Sequence, residues 1–515
     1  MPEMWIEPLD DCKAAGVRAD HGRIRARRLL ILYIVANAVL YSCLMPLWEG
    51  FDEAYHFGYA QQLTSGQLSD EVKASILLAP FSPVVQHNLP QVTSFSQYFS
   101  WSDDHRASVR NELFAIPVSL GAHVSDYGNY ETQQAPLAYF AMAPLEWGLG
   151  AVSLPVRVLV MRIVVALAGC LLLLFATDAL FGQLRVPFVY RDAALFCLFS
   201  CQMLWATMAH VANDWLAVPL AVSTLVALNR YREKPDVRSA CAAAAVFAAG
   251  LLTKAYFLAL IPLFVVVFAL RRRHVLSAAA IVCGVAGYWY ARNLVRFGSL
   301  SGTQESKSGF GFLAAIEGAQ KVHWLTVIPT YIRSALWTGN NNFLAFSAST
   351  LNLTAGLGLL ALVLWTTRRH SAVEWTVVGY CACFVTAIAY ASIITNITIH
   401  GVALSAEPWY AQVLAAPLLG LVWLGANRYI GVALVAMTGY ILVATYVVKL
   451  IPLYGGYQGR GSFGALTDLY IHGIAGLMSK LNSVSLAPAV LILVLTGIVV
   501  ILTITQQVIL IRRMR

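Results

Sequence analysis

The feature that most constrains this chain is a series of apolar runs, each about twenty residues long, parted by short breaks of which every second one is basic. A run of about 20 apolar residues carries an α-helix across a hydrocarbon core about 30 Å thick. In that setting the helix satisfies its own backbone polar groups. The runs fall at about 29–47, 158–182, 189–210, 215–229, 239–253, 255–270, 275–291, 349–366, 374–395, 410–425, 429–448 and 486–510. They predict an all-α polytopic membrane protein, a bundle of about twelve transmembrane helices. Composition agrees: 59% of the residues are hydrophobic and only 12% charged, where a soluble domain carries about 25% charged.

The breaks give the topology. Arg185 and Arg191 occupy one, Arg230, Arg232, Lys234 and Arg238 another, and Arg271 to Arg273 a third. Arg368 and Arg369, then Arg428, then Arg512, Arg513 and Arg515 continue the series. The positive-inside rule places all of these in the cytoplasm, with both termini, in a multi-pass cell (inner) membrane. The N-terminus, 1–28, is a basic cytoplasmic segment whose Arg23, Arg25, Arg27 and Arg28 precede the first run and read as a start-transfer anchor, not a cleaved leader. The net charge of +9 is carried by such clusters. None forms a basic face interleaved with exposed aromatics, which excludes a nucleic-acid partner. Nearly all of the nine cysteines lie inside apolar runs, so no disulfide framework is expected.

One segment tests the scheme. Residues 136–152 are apolar enough to span, but counting them as a span would put every later basic cluster outside. They also hold Pro144 and Glu146. We read them as a helix along the outer interface, or re-entrant. The outer face then receives a long first loop, 48–135, expected to form short interface helices, and further loops at 301–345, 396–409 and 450–485. The chain divides into a first module, 29–300, and a C-terminal transmembrane half, 301–515.

Residue types that carry chemistry collect at the outer ends of the runs. After the first come Glu49, Gly50, Phe51, Asp52 and Glu53, and a helix is expected to begin there with Asp52, His56 and Tyr59 on one face. Asp52 either caps that helix or serves as a general base at the lipid–water boundary. Glu131, Thr132, Gln133 and Gln134 lead into Pro136 and the interface helix. His210, Asn213 and Asp214 stand between the third and fourth runs, either as a tight turn or as a functional carboxylate. Lys254 ends the fifth run, and Arg292 and Asn293 end the seventh. Each cation is either a snorkelling anchor or a ligand for a lipid phosphate. Glu407 and Tyr410 close the third outer loop. His56, His210 and His400 share no metal-ligand spacing, so no metal site is assigned; a divalent cation stays open as a cofactor because acidic residues are paired.

These pieces together resemble the GT-C glycosyltransferases, polytopic enzymes that use polyprenyl- or dolichyl-phosphate sugars, in their protein-mannosyltransferase-like and aminoarabinose-transferase-like branch. The matching pieces are Phe51-Asp52-Glu53 with His56, Gln134-Ala135-Pro136-Leu137, Asn213-Asp214, Leu252-Thr253-Lys254 and Tyr290-Ala291-Arg292-Asn293-Leu294, in order over roughly residues 30–300. The resemblance implies a GT-C-like bundle with a conserved-type first module and a variable C-terminal half. It implies Asp52 as the catalytic base, with Glu53 and Asp214 as further catalytic acidic positions. It places Lys254 and Arg292 at the carrier phosphate, with His56, Gln134, Asn213, Asn293, Glu407 and Tyr410 as substrate-binding residues. Two pieces depart from the family pattern: Gln134-Ala135 stands where His-Pro is common, and Glu407-Pro408-Trp409-Tyr410 stands where a Gly-Arg-Tyr type motif is common. The expected function is glycosyl transfer from a polyprenyl-phosphate-linked sugar donor to a hydroxyl acceptor (lipid, glycan or protein) at the outer face of the bilayer. The alternative is a polytopic transporter or lipid flippase, which would need polar groups through the depth of the bundle.

Overall fold

In the computed structural model the described residues are 9–64, 73–75, 95–115, 124–269, 274–301, 312–339, 345–398, 408–457 and 462–515. Every one of the twelve expected runs is helical. Eight of the helices are long and apolar enough to cross a membrane: Ile24–Leu44, Leu154–Gln183, Val275–Phe297, Ala348–Thr366, Ala372–Ile397, Pro408–Gly425, Arg428–Tyr454 and Ala489–Met514.

The four remaining runs are consecutive, between 188 and 269, and each departs from a plain span for a local reason. The expected third span, 189–210, is two helices, Phe188–Phe199 and Gln202–Met208. They part because other groups take the backbone's place: the Phe199 carbonyl accepts from the Tyr33 hydroxyl at 3.0 Å and from the Trp205 indole at 2.9 Å. Asp214–Glu233 is twenty residues long but opens on Asp214 and closes on Arg230, Arg232 and Glu233. Val237–Leu251 and Ala255–Ala269 are shorter apolar helices.

The segment 136–152 becomes the helix Leu137–Gly148, twelve residues long. At about 1.5 Å per residue such a helix reaches about 18 Å, too short for a hydrocarbon core of about 30 Å. It buries Ala138, Tyr139, Met142 and Glu146, and turns Phe140 and Trp147 outward. Its ends are held from inside: Arg157 of the second span pairs with Glu146, and Gln61 donates to the same carboxylate at 3.3 Å.

The first outer loop holds the helices Glu53–Thr64, Phe95–Ser100 and Asp103–Ala115, as its mixed composition suggests. It also holds an antiparallel pair of strands, Lys73–Ser75 with Val124–Gly128, in register Lys73 to Gly128 and Ser75 to Val124. Helical reasoning alone did not anticipate that pair. This loop packs on the fourth: the Tyr98 hydroxyl donates to Ser483 O at 2.9 Å, and Arg110 to Ser485 O at 2.8 Å.

One apolar core runs through the bundle. At one end Arg27 bridges Asp178 and Asp192, each at 3.0 Å, and Arg513 reaches Asp192 at 3.6 Å. The first, second and last spans and the 188–199 helix therefore share a basic-rich end. The residues that carry chemistry lie at the other ends of these helices.

Candidate active site

The site begins with a turn. The first span ends at Leu44, and the chain must reverse before the helix Glu53–Thr64. Trp48 and Asp52 take left-handed backbone conformations there, with φ of 61° and 54°. For a residue with a Cβ this conformation costs about 1–2 kcal/mol, less for Asp than for most. The turn is held by Arg162, a lone cation inside the apolar second span. Its guanidinium donates to Met45 O at 2.7 Å, to Pro46 O at 2.8 Å and to Glu53 Oε1 at 2.7 Å, and also contacts Glu53 Oε2. Glu53 Oε1 further accepts from the Val211 amide at 2.9 Å. Burial alone would raise the Glu53 carboxyl, but the Arg162 charge and hydrogen bonds outweigh it, with help from His210 and the Val211 amide, and hold it below the usual carboxylate range. Glu53 is thus committed to a buried clamp. Asp52, beside it, is half-buried, and its carbonyl closes the first helical turn by accepting from the Tyr55 and His56 amides at 3.0 and 3.1 Å.

One helical turn on, His56 Nδ1 lies 2.7 Å from the Tyr139 hydroxyl and 3.3 Å from Glu131 Oε2. Tyr139 comes from the interface helix, and its ring packs 4.2 Å from that of Tyr59. The His56–Glu131 distance would suit an ion pair, but burial moves the partners apart in charge. It lowers His56 well below the ordinary imidazole value, reinforced by Lys254 and His210. It raises Glu131 well above the ordinary carboxyl value, reinforced by the Asp52 charge. The three groups form a neutral hydrogen-bonded network.

The second half of the site is built on the end of the helix Val237–Leu251. The last carbonyls of a helix have no partner within it. Here each is met by a different sequence piece: Leu251 O by the Tyr290 hydroxyl at 2.8 Å, Leu252 O by the Leu137 amide at 2.8 Å, and Thr253 O by the Asn213 amide nitrogen at 3.3 Å. Three of the motifs that lie far apart in the chain therefore meet at this one helix terminus, and Lys254 follows directly. Its ammonium sits 2.7 Å from both Asp214 oxygens, with the Tyr410 and Tyr256 rings 5.2 and 5.6 Å away. Asp214 and Lys254 are 4% and 6% exposed, so the pair is shielded from water.

Arg292 is half-buried, stacks on Trp289 at 4.4 Å and donates to Asn293 Oδ1 at 2.9 Å, and its charge acts on the Tyr59 phenol. Asn293 instead turns its amide nitrogen to the Leu300 and Ser301 carbonyls, pinning the turn after its helix. Gln134 accepts from the Tyr59 hydroxyl through its backbone carbonyl at 3.5 Å. Glu407 and His400 lie outside the described residues. Among the described residues no group of three His, Cys, Asp or Glu side chains could hold a metal ion.

Four buried side-chain atoms around this cluster have no hydrogen-bond partner among the described residues: Gln134 Oε1, His210 Nδ1, Asn213 Oδ1 and the Tyr256 hydroxyl. Buried polar atoms are normally satisfied, so such a concentration marks a place where something else binds. Sequence reasoning did not pick out Arg162, Tyr139 or Tyr256. Arg162 had a usable signal, because a cation inside an apolar run needs a buried partner. The two tyrosines had none beyond their motifs.

No protein-family model matches the chain, and no curated protein matches it. Among solved structures it is similar to the crystal structure of ArnT from Cupriavidus metallidurans bound to undecaprenyl phosphate, at 14% identity over 94% of this chain and 77% of that one, with a TM-score of 0.46. A likeness this loose carries no residue role across.

Proposed function

We propose that the chain is a membrane glycosyltransferase that moves a sugar from a polyprenyl-phosphate carrier to a hydroxyl acceptor on a lipid, glycan or protein, at the outer face of the bilayer. The observation that carries this reading is the meeting of Asp52 with the buried Asp214–Lys254 pair at one end of an apolar bundle. The charge of Asp52 and that of Asp214 both act on Glu131, and the charge of Lys254 acts on both Glu131 and His56. A carboxylate and cations gathered where spans leave the membrane suit a substrate whose reacting bond sits between a lipid tail and water.

In the proposed step Asp52 takes the proton of the acceptor hydroxyl. The acceptor oxygen bonds to the anomeric carbon while the bond from that carbon to the carrier phosphate breaks. The electron pair leaves with the polyprenyl phosphate, and the anomeric centre inverts. Lys254 and Arg292 stabilise the charge that gathers on the leaving phosphate. Asp214 keeps Lys254 charged and aimed, and Tyr410 flanks it. Glu53 acts through Arg162 as a positioning residue that fixes the turn bearing Asp52. The charged pairs gather at the bundle's end, which favours chemistry at a surface over passage through the core.

The test is a strain lacking the chain, complemented with wild type or Asp52→Asn at matched protein level, with mass spectrometry of its carrier lipids and glycans. Loss of one glycan sugar, with its lipid-linked form accumulating, is the expected result. Full transfer by Asp52→Asn would sink the assignment of the base.

A further inference from the structure

We infer that the turn between Met208 and Asp214 is the wall that recognises the donor sugar, and that this sugar is uncharged, its hydroxyls held by His210 and Asn213. The inference rests on the glycosyl-transfer reading above.

Both side chains are buried, His210 at 4% and Asn213 at 0% exposure, and both keep one polar atom without a hydrogen-bond partner among the described residues. Their other atoms are fixed. The Asn213 amide nitrogen is spent on Thr253 O, which leaves its Oδ1 as an acceptor. The His210 ring backs onto Gly50 so closely that a Cβ there would lie 2.8 Å from Cδ2 and 2.5 Å from the His210 Cβ. That contact uses the Cδ2 edge, and Nδ1 is on the opposite edge of the ring. The Phe51 ring meets His210 at 88° with centroids 6.4 Å apart, which holds its tilt. A glycine at 50 is therefore the condition for the imidazole to sit where it does. Tyr256, also with a buried unpartnered hydroxyl, packs against Lys254 and Tyr410. The unused capacity of the site is thus neutral hydrogen bonding, which is what sugar hydroxyls require.

The charges point the same way. Glu53 is matched by Arg162 and Asp214 by Lys254. Glu49 accepts from the Tyr454 hydroxyl at 3.3 Å, and Glu131 is bound into the network with His56 and Tyr139. Asp52 is assigned to the acceptor's proton, and Lys254 and Arg292 to the phosphate. An ammonium on the sugar would need a further carboxylate, and a uronate a further cation. A buried charge without a partner is strongly disfavoured.

The test is equilibrium binding to the full chain in nanodiscs. The probes are bare polyprenyl phosphate and polyprenyl phosphates carrying glucose, mannose or galactose, glucosamine, or glucuronic acid. The wild type is expected to bind the bare phosphate and to bind one neutral sugar form at least about tenfold tighter, the size of effect that a buried, matched hydroxyl gives. Neither charged sugar should gain. His210→Phe and Asn213→Ala should each erase most of that gain while keeping the affinity for bare phosphate, which also reports an intact fold; His210→Gln should recover part. A gain for glucosamine or glucuronic acid, or an undiminished gain in His210→Phe, overturns the inference and leaves the transferase reading standing. Failure of the wild type to bind any polyprenyl phosphate overturns both.

Discussion

Replacing Arg162 by leucine should be among the most damaging single changes in the chain, and its cost can be worked from its bonds. Arg162 is fully buried and meets both oxygens of Glu53, which is 1% exposed, as well as the Met45 and Pro46 carbonyls. Arg162→Leu leaves Glu53 with the Val211 amide and strands two carbonyls. Breaking a buried ion pair from one side costs about 3–5 kcal/mol, and the stranded carbonyls push the cost toward the upper end. Glu53→Met alone leaves a buried guanidinium and should cost a similar amount. The double variant Glu53→Met/Arg162→Leu removes both charges, so most of the loss should return, to within about 2 kcal/mol of wild type. Unfolding of the purified protein in one detergent, compared across the four forms, reads these differences. The double variant should still lose transfer activity, because the turn that carries Asp52 is no longer fixed. Wild-type stability in Arg162→Leu, or costs that simply add in the double variant, would refute the clamp.

Two further changes separate strain and titration from chemistry. Asp52→Gly relieves a φ of 54°, so it should raise stability by up to about 1 kcal/mol while abolishing transfer; a melting measurement beside a glycan assay checks both halves. Glu131 and His56 give opposite pH slopes. The raised Glu131 carboxyl contributes stability that is full below the ordinary carboxyl value and lost as pH rises through its own raised value. The lowered His56 contributes stability that is full above the ordinary imidazole value and lost as pH falls through its own lowered value. Glu131→Gln should therefore flatten the alkaline limb of the stability profile and leave the acid limb, which thermal unfolding across pH would show.

Much of the architecture was legible because the bilayer imposes one length on everything that crosses it. The runs at 29–47 and 486–510, and the basic residues beside them, could be read without any partner in view. The interface helix was legible for the same reason inverted: counted as a span it breaks the alternation, and its twelve residues are too few to cross. The region 188–269 was less legible. Whether Phe199 continues a helix depends on Tyr33, a residue 166 positions away, whose hydroxyl takes its carbonyl. The strand pair of the first loop was hidden likewise, since Lys73–Ser75 is strand only against Val124–Gly128.

The site divides along the same line. Residue type and place at a span end are local properties, and they singled out Asp52, Asp214, Lys254 and Arg292. The sequence by itself thus determined a membrane bundle with its chemistry at one set of helix ends. Only the tertiary structure decided how that chemistry is shared: that Glu53 belongs to Arg162, that Lys254 belongs to Asp214, and that Asn293 pins a turn. It also decided that Leu251, Leu252 and Thr253 hand their carbonyls to three distant segments. The physical reason is that a helix terminus or a buried charge must find a partner, but nothing local says which. That choice is made by packing, between residues far apart in the chain and close in space.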